Sequence, residues 1–182
     1  MRKVTVICAA IAAVAVAGCA TMIVSSHIER GIDFAEYVTY DWGPPDNLPV
    51  GDPRLDNNPF FQDHLQGAIE KGLATRGYER AVNGGAALLV HYHASVTQKV
   101  EVNEPDLRYG YCYGNCDARV IEYEQGTLVI DVVDPRTNKV VWRAWAQDAM
   151  DGVIDNQDRL EKRVDESVMR MMERLPRGAA LR

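Results

Sequence analysis

The chain has 182 residues, 47% hydrophobic and 25% charged, which suits one domain with a sizeable core and excludes wholesale disorder. Its formal charge is −6, and it becomes −8 without Met1–Gly18, a segment that holds Arg2 and Lys3 and no acid. With no basic stripe and no base-stacking platform, so acidic a surface argues against nucleic acid as a partner.

Met1-Arg2-Lys3 is a basic start, and Val4–Ala17 is an apolar run leading into Val16-Ala17-Gly18-Cys19. The run is too short to span a bilayer comfortably and has the layout of a secretory signal. The small residues before Cys19 resemble a bacterial lipobox. That resemblance implies that the Cys19 thiol takes a diacylglycerol, that cleavage falls before it, and that its new amino group is acylated. Two or three acyl chains, at ~0.8 kcal/mol per buried CH₂, would make a permanent anchor. Ala20, rather than Asp, follows Cys19, which by analogy with enteric sorting implies the outer membrane, periplasmic side. The alternative is an ordinary signal peptide with an incidental cysteine. The expected organisation is a lipoprotein signal peptide over 1–18, an acylated N-terminus and tether over 19–30, and a single α+β domain over 31–178.

Thr21–Ser26 (TMIVSS) is a short β-prone run close to the membrane. Farther on, Val38, Tyr40 and Trp42 share one face of an extended chain, so Thr39–Trp42 is expected as a strand with core aromatics. Gly43-Pro44-Pro45 breaks it, and Pro44–Pro53 is a connection without periodicity. Asn58-Pro59 supplies an N-cap and a first-turn proline. Phe61, Leu65, Ala68, Ile69 and Leu73 then recur at helical spacing up to Gly77, a C-cap residue. Gly67 and Gly72 each weaken this helix by ~1 kcal/mol relative to Ala, and close packing on a sheet is the expected reason. His64 on the helix is read as solvated.

Ala86–Val102 alternates, with Leu88, Val90, Tyr92, Ala94 and Val96 on one face and His91, His93, Ser95, Thr97, Lys99 and Glu101 on the other. Such a half-buried strand predicts an antiparallel sheet with one solvated side. His91 and His93 point the same way and could reach one metal ion, yet no third ligand is fixed by nearby sequence. The alternative is a polar sheet face that holds two histidines.

Asn103–Ala118 interrupts the sheet with a loop holding Tyr109, Tyr111 and Tyr113 and the pair Cys112 and Cys116. In an oxidising compartment two such thiols bridge, and Tyr-Gly-Asn between them can turn the chain to disulfide distance. A metal site joining both cysteines to His91 and His93 is the sharper alternative. The tyrosines suit an exposed recognition surface, or they pack down over the sheet.

Gly126–Ala146 (GTLVIDVVDPRTNKVVWRAWA) reads as a β-hairpin around the turn residues Asp134–Asn138. If opposed residue numbers sum to about 274, Leu128, Ile130 and Val132 share a face with Trp142, Ala144 and Ala146. The other face then carries Thr127, Val129, Asp131 and Val133 opposite Gln147, Trp145, Arg143 and Val141. Asp131 and Arg143 become a cross-strand ion pair. After an acidic turn over Asp148–Asp155, Leu160, Val164, Val168, Met171 and Leu175 mark a second amphipathic helix ended by Pro176, its methionines filling gaps in the core.

Four landmarks resemble the bacterial envelope lipoproteins called domain of unknown function 4136. They are the lipobox at Cys19; Tyr37-Val38-Thr39-Tyr40-Asp41-Trp42; Leu88-Leu89-Val90-His91-Tyr92-His93 after a Gly77-Tyr78 helix end; and Tyr123–Asp131 followed by Val141-Trp142-Arg143. Ala87 departs from the pattern, where relatives tend to carry Asp, and the cysteine pair is not required by it. The family has no assigned activity, so the resemblance implies a location and a fold and supplies no catalytic residues.

The element order β-α-β-β-β-α predicts an α+β fold: an antiparallel sheet with two helices packed on one face. There is no G-x-S-x-G, no H-E-x-x-H, no phosphate loop and no dinucleotide fingerprint, so no enzyme activity and no cofactor is expected. The expected role is a non-catalytic outer-membrane lipoprotein that binds an envelope protein or cell-wall component. Tyr109, Tyr111, Tyr113, His91 and His93 are its candidate contact residues. The alternative is a periplasmic lipoprotein that binds a small ligand or metal through His91 and His93.

Overall fold

The computed structural model describes residues 22–45, 48–82, 84–103 and 119–179. Six strands and two helices follow one another as β1 (Ile23–Ile28), β2 (Thr39–Trp42), α1 (Pro59–Thr75), β3 (Glu79–Arg80), β4 (Leu88–Asn103), β5 (Arg119–Asp134), β6 (Lys139–Ala149) and α2 (Gln157–Met172). The strands form one sheet in the order β1-β6-β5-β4-β2-β3. This is the expected α+β class.

The sheet is mixed rather than antiparallel. β4 pairs antiparallel with β5 but parallel with β2, and β2 pairs parallel with β3. A parallel neighbour needs a long crossover, and the stretch from Gly43 to Ala87, which carries α1, provides one. One solvated face therefore did not require every pairing to be antiparallel. β1 is a second departure. It lies within the segment expected as tether, yet Ile23–Ile28 pair residue for residue with β6 from Gln147 to Trp142, behind a buried Met22. The β-prone character of that run is satisfied by a real strand.

The hairpin register follows the sum of 274 from Gln125↔Ala149 to Val132↔Trp142, and then shifts at a bulge to Val133↔Val140 and Asp134↔Lys139. The extra residue lets Val141 and Trp142 both be buried, so Val141 leaves the outer face on which alternation put it. In the turn, Asp134 accepts from the Arg136 backbone N–H at 2.8 Å, and Asn138 takes φ 53°, which asparagine tolerates. Asp134 is itself buried, and the Arg136 guanidinium beside it, with help from the Tyr37 hydroxyl, holds its carboxyl below the ordinary range.

Val90, Ile130, Val132, Trp142, Ala144 and Ala146 form the buried face of the sheet, and both helices close over it. α1 starts at Asn58, whose side chain accepts from the Phe60 and Phe61 amides, with Pro59 in the first turn. It buries Leu65, Ile69 and Leu73. α2, capped by Asn156, buries Leu160, Val164, Val168, Met171 and Met172. Gly72 does pack closely, but against α2: a Cβ there would come within 2.5 Å of the Met172 Cγ, while one at Gly67 would meet nothing within 4 Å. His64 is not simply solvated either. Its Nε2 lies 3.1 Å from Asp165 Oδ1, joining the two helices.

Candidate contact surfaces

Among the described residues, no helix covers the other face of the sheet. Register places His27, Arg143, Asp131 and His91 side by side across β1, β6, β5 and β4, with Ser25, Trp145, Val129 and His93 as the next row. Arg143 grips Asp131 with both ends of its fork, Nε to Oδ1 at 2.6 Å and Nη2 to Oδ2 at 2.5 Å. The hydrogen bonds that the guanidinium donates to this carboxylate raise the Arg143 pKa. The cross-strand pair read from sequence is present, and it occupies the one guanidinium of that row.

His91 packs against Gly43, where a Cβ would come 2.0 Å from the imidazole Cε1, so the glycine of the strand-ending breaker is required by the histidine. Around them Pro44, His91, Tyr92, His93, Val129, Asp131 and Val133 line a concavity of about 340 Å³. Across the sheet edge, Trp42 stands edge-on to Tyr92 with ring centroids 5.7 Å apart, and its indole N–H donates to Glu70 at 3.1 Å. Among the described residues, no three His, Cys, Asp or Glu side chains are arranged to hold a metal ion. β4 also continues ten residues beyond His93 to Asn103, ~33 Å at strand rise, before the cysteine loop begins.

Cys19, Cys112, Cys116, Tyr109, Tyr111 and Tyr113 lie outside the described residues. What the structure does give is the support of that loop. β5 meets β6 only as far as Gln125↔Ala149, whereas β4 and β5 stay paired through six further positions, from Gln98↔Glu124 to Asn103↔Arg119. This two-stranded arm is ~20 Å long. It exposes Val100 (62%), Val120 (60%) and Ile121 (43%) between Lys99, Glu101 and Glu122. Sequence reading found the strands but not the arm, because their hydrophobic alternation does not say where a third strand stops. The one available signal was length: β5 has 16 residues and its partner β6 only 11.

The base of the arm is clamped. Arg54 donates to Asp52 (2.5 and 2.9 Å), to Asp155 (2.7 Å) and to Glu124 of β5 (2.9 Å). Glu124 also receives the Gln98 amide at 3.4 Å, and its backbone carbonyl accepts from Met150 at 2.8 Å. The Arg54 guanidinium holds the buried Asp52 carboxyl below its ordinary range.

The sequence signature of the family described as Domain of unknown function (DUF4136) matches residues 24–177. The chain belongs to the DUF4136 family. A DUF4136 family protein from Bacteroides thetaiotaomicron is similar in structure, with TM-score 0.54 and 13% identity, covering 84% of this chain and 94% of that one. A PDZ domain protein from Parabacteroides distasonis aligns with TM-score 0.52 and 14% identity over 85% of this chain. The DUF4136 chain spans only 35% of that protein's length. At these identities the likeness is one of fold. No curated protein matches the sequence. The matched segment begins at the second residue of β1 and ends after α2, so it takes in both helices and all of the sheet but Ile23.

Proposed function

We propose that this DUF4136 protein is a non-catalytic lipoprotein, anchored through Cys19 at the periplasmic face of the outer membrane, that binds another envelope component with its β4–β5 arm. The arm is the observation that carries the reading. Isolated two-stranded ribbons are marginal in water, and this one displays three large aliphatic side chains in the open and is braced at its base by a four-residue ion network. Alternation puts Val100 and Val120 on one face of the arm and Ile121 on the other. Exposed aliphatic side chains on a braced arm suit a protein or cell-wall contact. The loop at its end, with Tyr109, Tyr111 and Tyr113 and a Cys112–Cys116 bridge, adds side chains of the kind favoured at interfaces. Replacing residues 98–124 by a short turn is the test: the variant folds, stays in the membrane fraction and no longer captures the envelope component retained by the wild type. Labelled fatty acid is incorporated by the wild type and not by Cys19→Ala. Thiol titration of the mature, non-reduced protein finds no free cysteine.

The concavity beside His91 and His93 favours a second reading, a small ligand or metal ion held on the open face. Metal analysis of the purified protein separates the two. Stoichiometric zinc or copper, lost on His91→Ala, supports a metal site and argues against a purely protein-binding role.

A further inference from the structure

The two edges of the sheet are built differently. The β3 edge is two residues long, Glu79-Arg80, both exposed and charged, which is how natural proteins blunt a strand against association. The β1 edge is six residues long, IVSSHI, in unbroken register with β6, and has no Lys, Arg, Asp, Glu or Pro. The Glu29 N–H donates to the Val141 carbonyl at 2.9 Å, so the odd-numbered residues of β1 turn their backbone groups toward β6. Alternation then turns the N–H and C=O of Val24, Ser26 and Ile28 away from the sheet, where no described strand meets them. Ile23 (59% exposed) and Ile28 (42%) stand at the two ends of this edge.

We propose that the outer edge of β1 pairs antiparallel with β1 of a second copy, about a two-fold axis at Ser26, to join two six-stranded sheets into one. The strand is self-complementary in that arrangement. Ser26 meets its own copy, and Val24 meets Ile28 of the partner subunit twice, so all three outward residues bond, with about six hydrogen bonds in all. On the helix side the exposed Ile28 gains an apolar neighbour. On the open side Ser25 faces the copy of His27, and Ile23 faces the copy of Glu29. No like charges are opposed. The free edges of β4 and β5 in the arm carry Lys99, Glu101, Glu122 and Glu124, whereas β1 carries no such charge. The proposal stands on β1 alone. The anchor proposed at Cys19, four residues before the strand, would only add the high effective concentration of two chains on one membrane.

A photo-crosslinking amino acid at position 28, in the full chain in cell membranes, tests the pairing. The expected product has twice the chain mass and joins position 28 to the peptide around Val24 of an identical chain. Ser26→Pro removes only an outward N–H and leaves the β1–β6 ladder intact, so it should abolish this product while thermal stability is unchanged. Should that variant fold poorly, Ile28→Glu changes an exposed side chain and is followed by sedimentation of the detergent-extracted protein, with a shift from dimer to monomer expected. A monomer from the wild type, a crosslink only to lipid or to a different protein, or a product that persists in folded Ser26→Pro overturns the proposal. Failure of the anchor would show separately, as missing fatty-acid label and loss from the membrane fraction.

Discussion

At the level of single residues, the buried and half-buried carboxylates divide by what faces them. Asp52 has the Arg54 fork on it, and hydrogen bonding outweighs burial, so its pKa is lowered. Its stabilising effect is present above the ordinary carboxylate value and is lost as pH falls through the lowered one. Arg54→Ala should therefore lower stability near neutral pH, with the difference from wild type shrinking in acid. Thermal unfolding across pH measures it. Asp148 is the opposite case. Burial raises its pKa above 3.8, although Arg163 Nη1 lies 2.8 Å from Oδ2 and opposes the shift. That contact lacks hydrogen-bond geometry, so it offsets burial only in part. A raised carboxyl favours the fold when protonated, and that advantage is lost as pH rises through the folded value. Asp148→Asn should match wild type in acid and be the more stable protein at neutral pH. Lower stability at neutral pH would mean that the attraction of Arg163 dominates.

At the level of elements, the two glycines of α1 separate propensity from packing. Gly67→Ala should stabilise by up to ~1 kcal/mol, because the helix gains and nothing is touched. Gly72→Ala should give no such gain, since Met172 must move from a well-packed helix interface. Denaturant titration of both variants checks the pair. Much at this scale was legible beforehand. The Asn58 cap, both helices, the β4 faces and the hairpin register over most of its length follow from local alternation and capping chemistry. What was not legible depended on neighbours distant in sequence. The bulge at Val133 and the parallel pairing of β2 are decided by what a strand lies against. So is the β1 pairing, which turned part of an expected tether into a strand. Tyr40 shows the same limit: its place on the core face was readable, but not that burial, with Glu70 nearby, pushes its hydroxyl up to about 12.

At the scale of the whole molecule, one face of the sheet holds the core, no described helix covers the other, and a clamped arm extends past the last triple-stranded position. The candidate site was half legible. His91 and His93 were placed correctly on the open face and Asp131 with Arg143, whereas His27 joins their row only through β1. The exposed Val100 and Val120 on one face of the arm, with Ile121 on the other, emerge only when β6 is seen to stop. The central claim is that this arm is the contact surface. A photo-crosslinking residue at Val100, compared in intact cells with the same residue at Thr97 on the opposite face of the hairpin and at Arg143 on the open sheet, tests it most directly. One defined adduct, other than the chain's own dimer, is expected from position 100 and none from position 143. An adduct from position 143 alone would contradict it and move the binding surface to the histidine row.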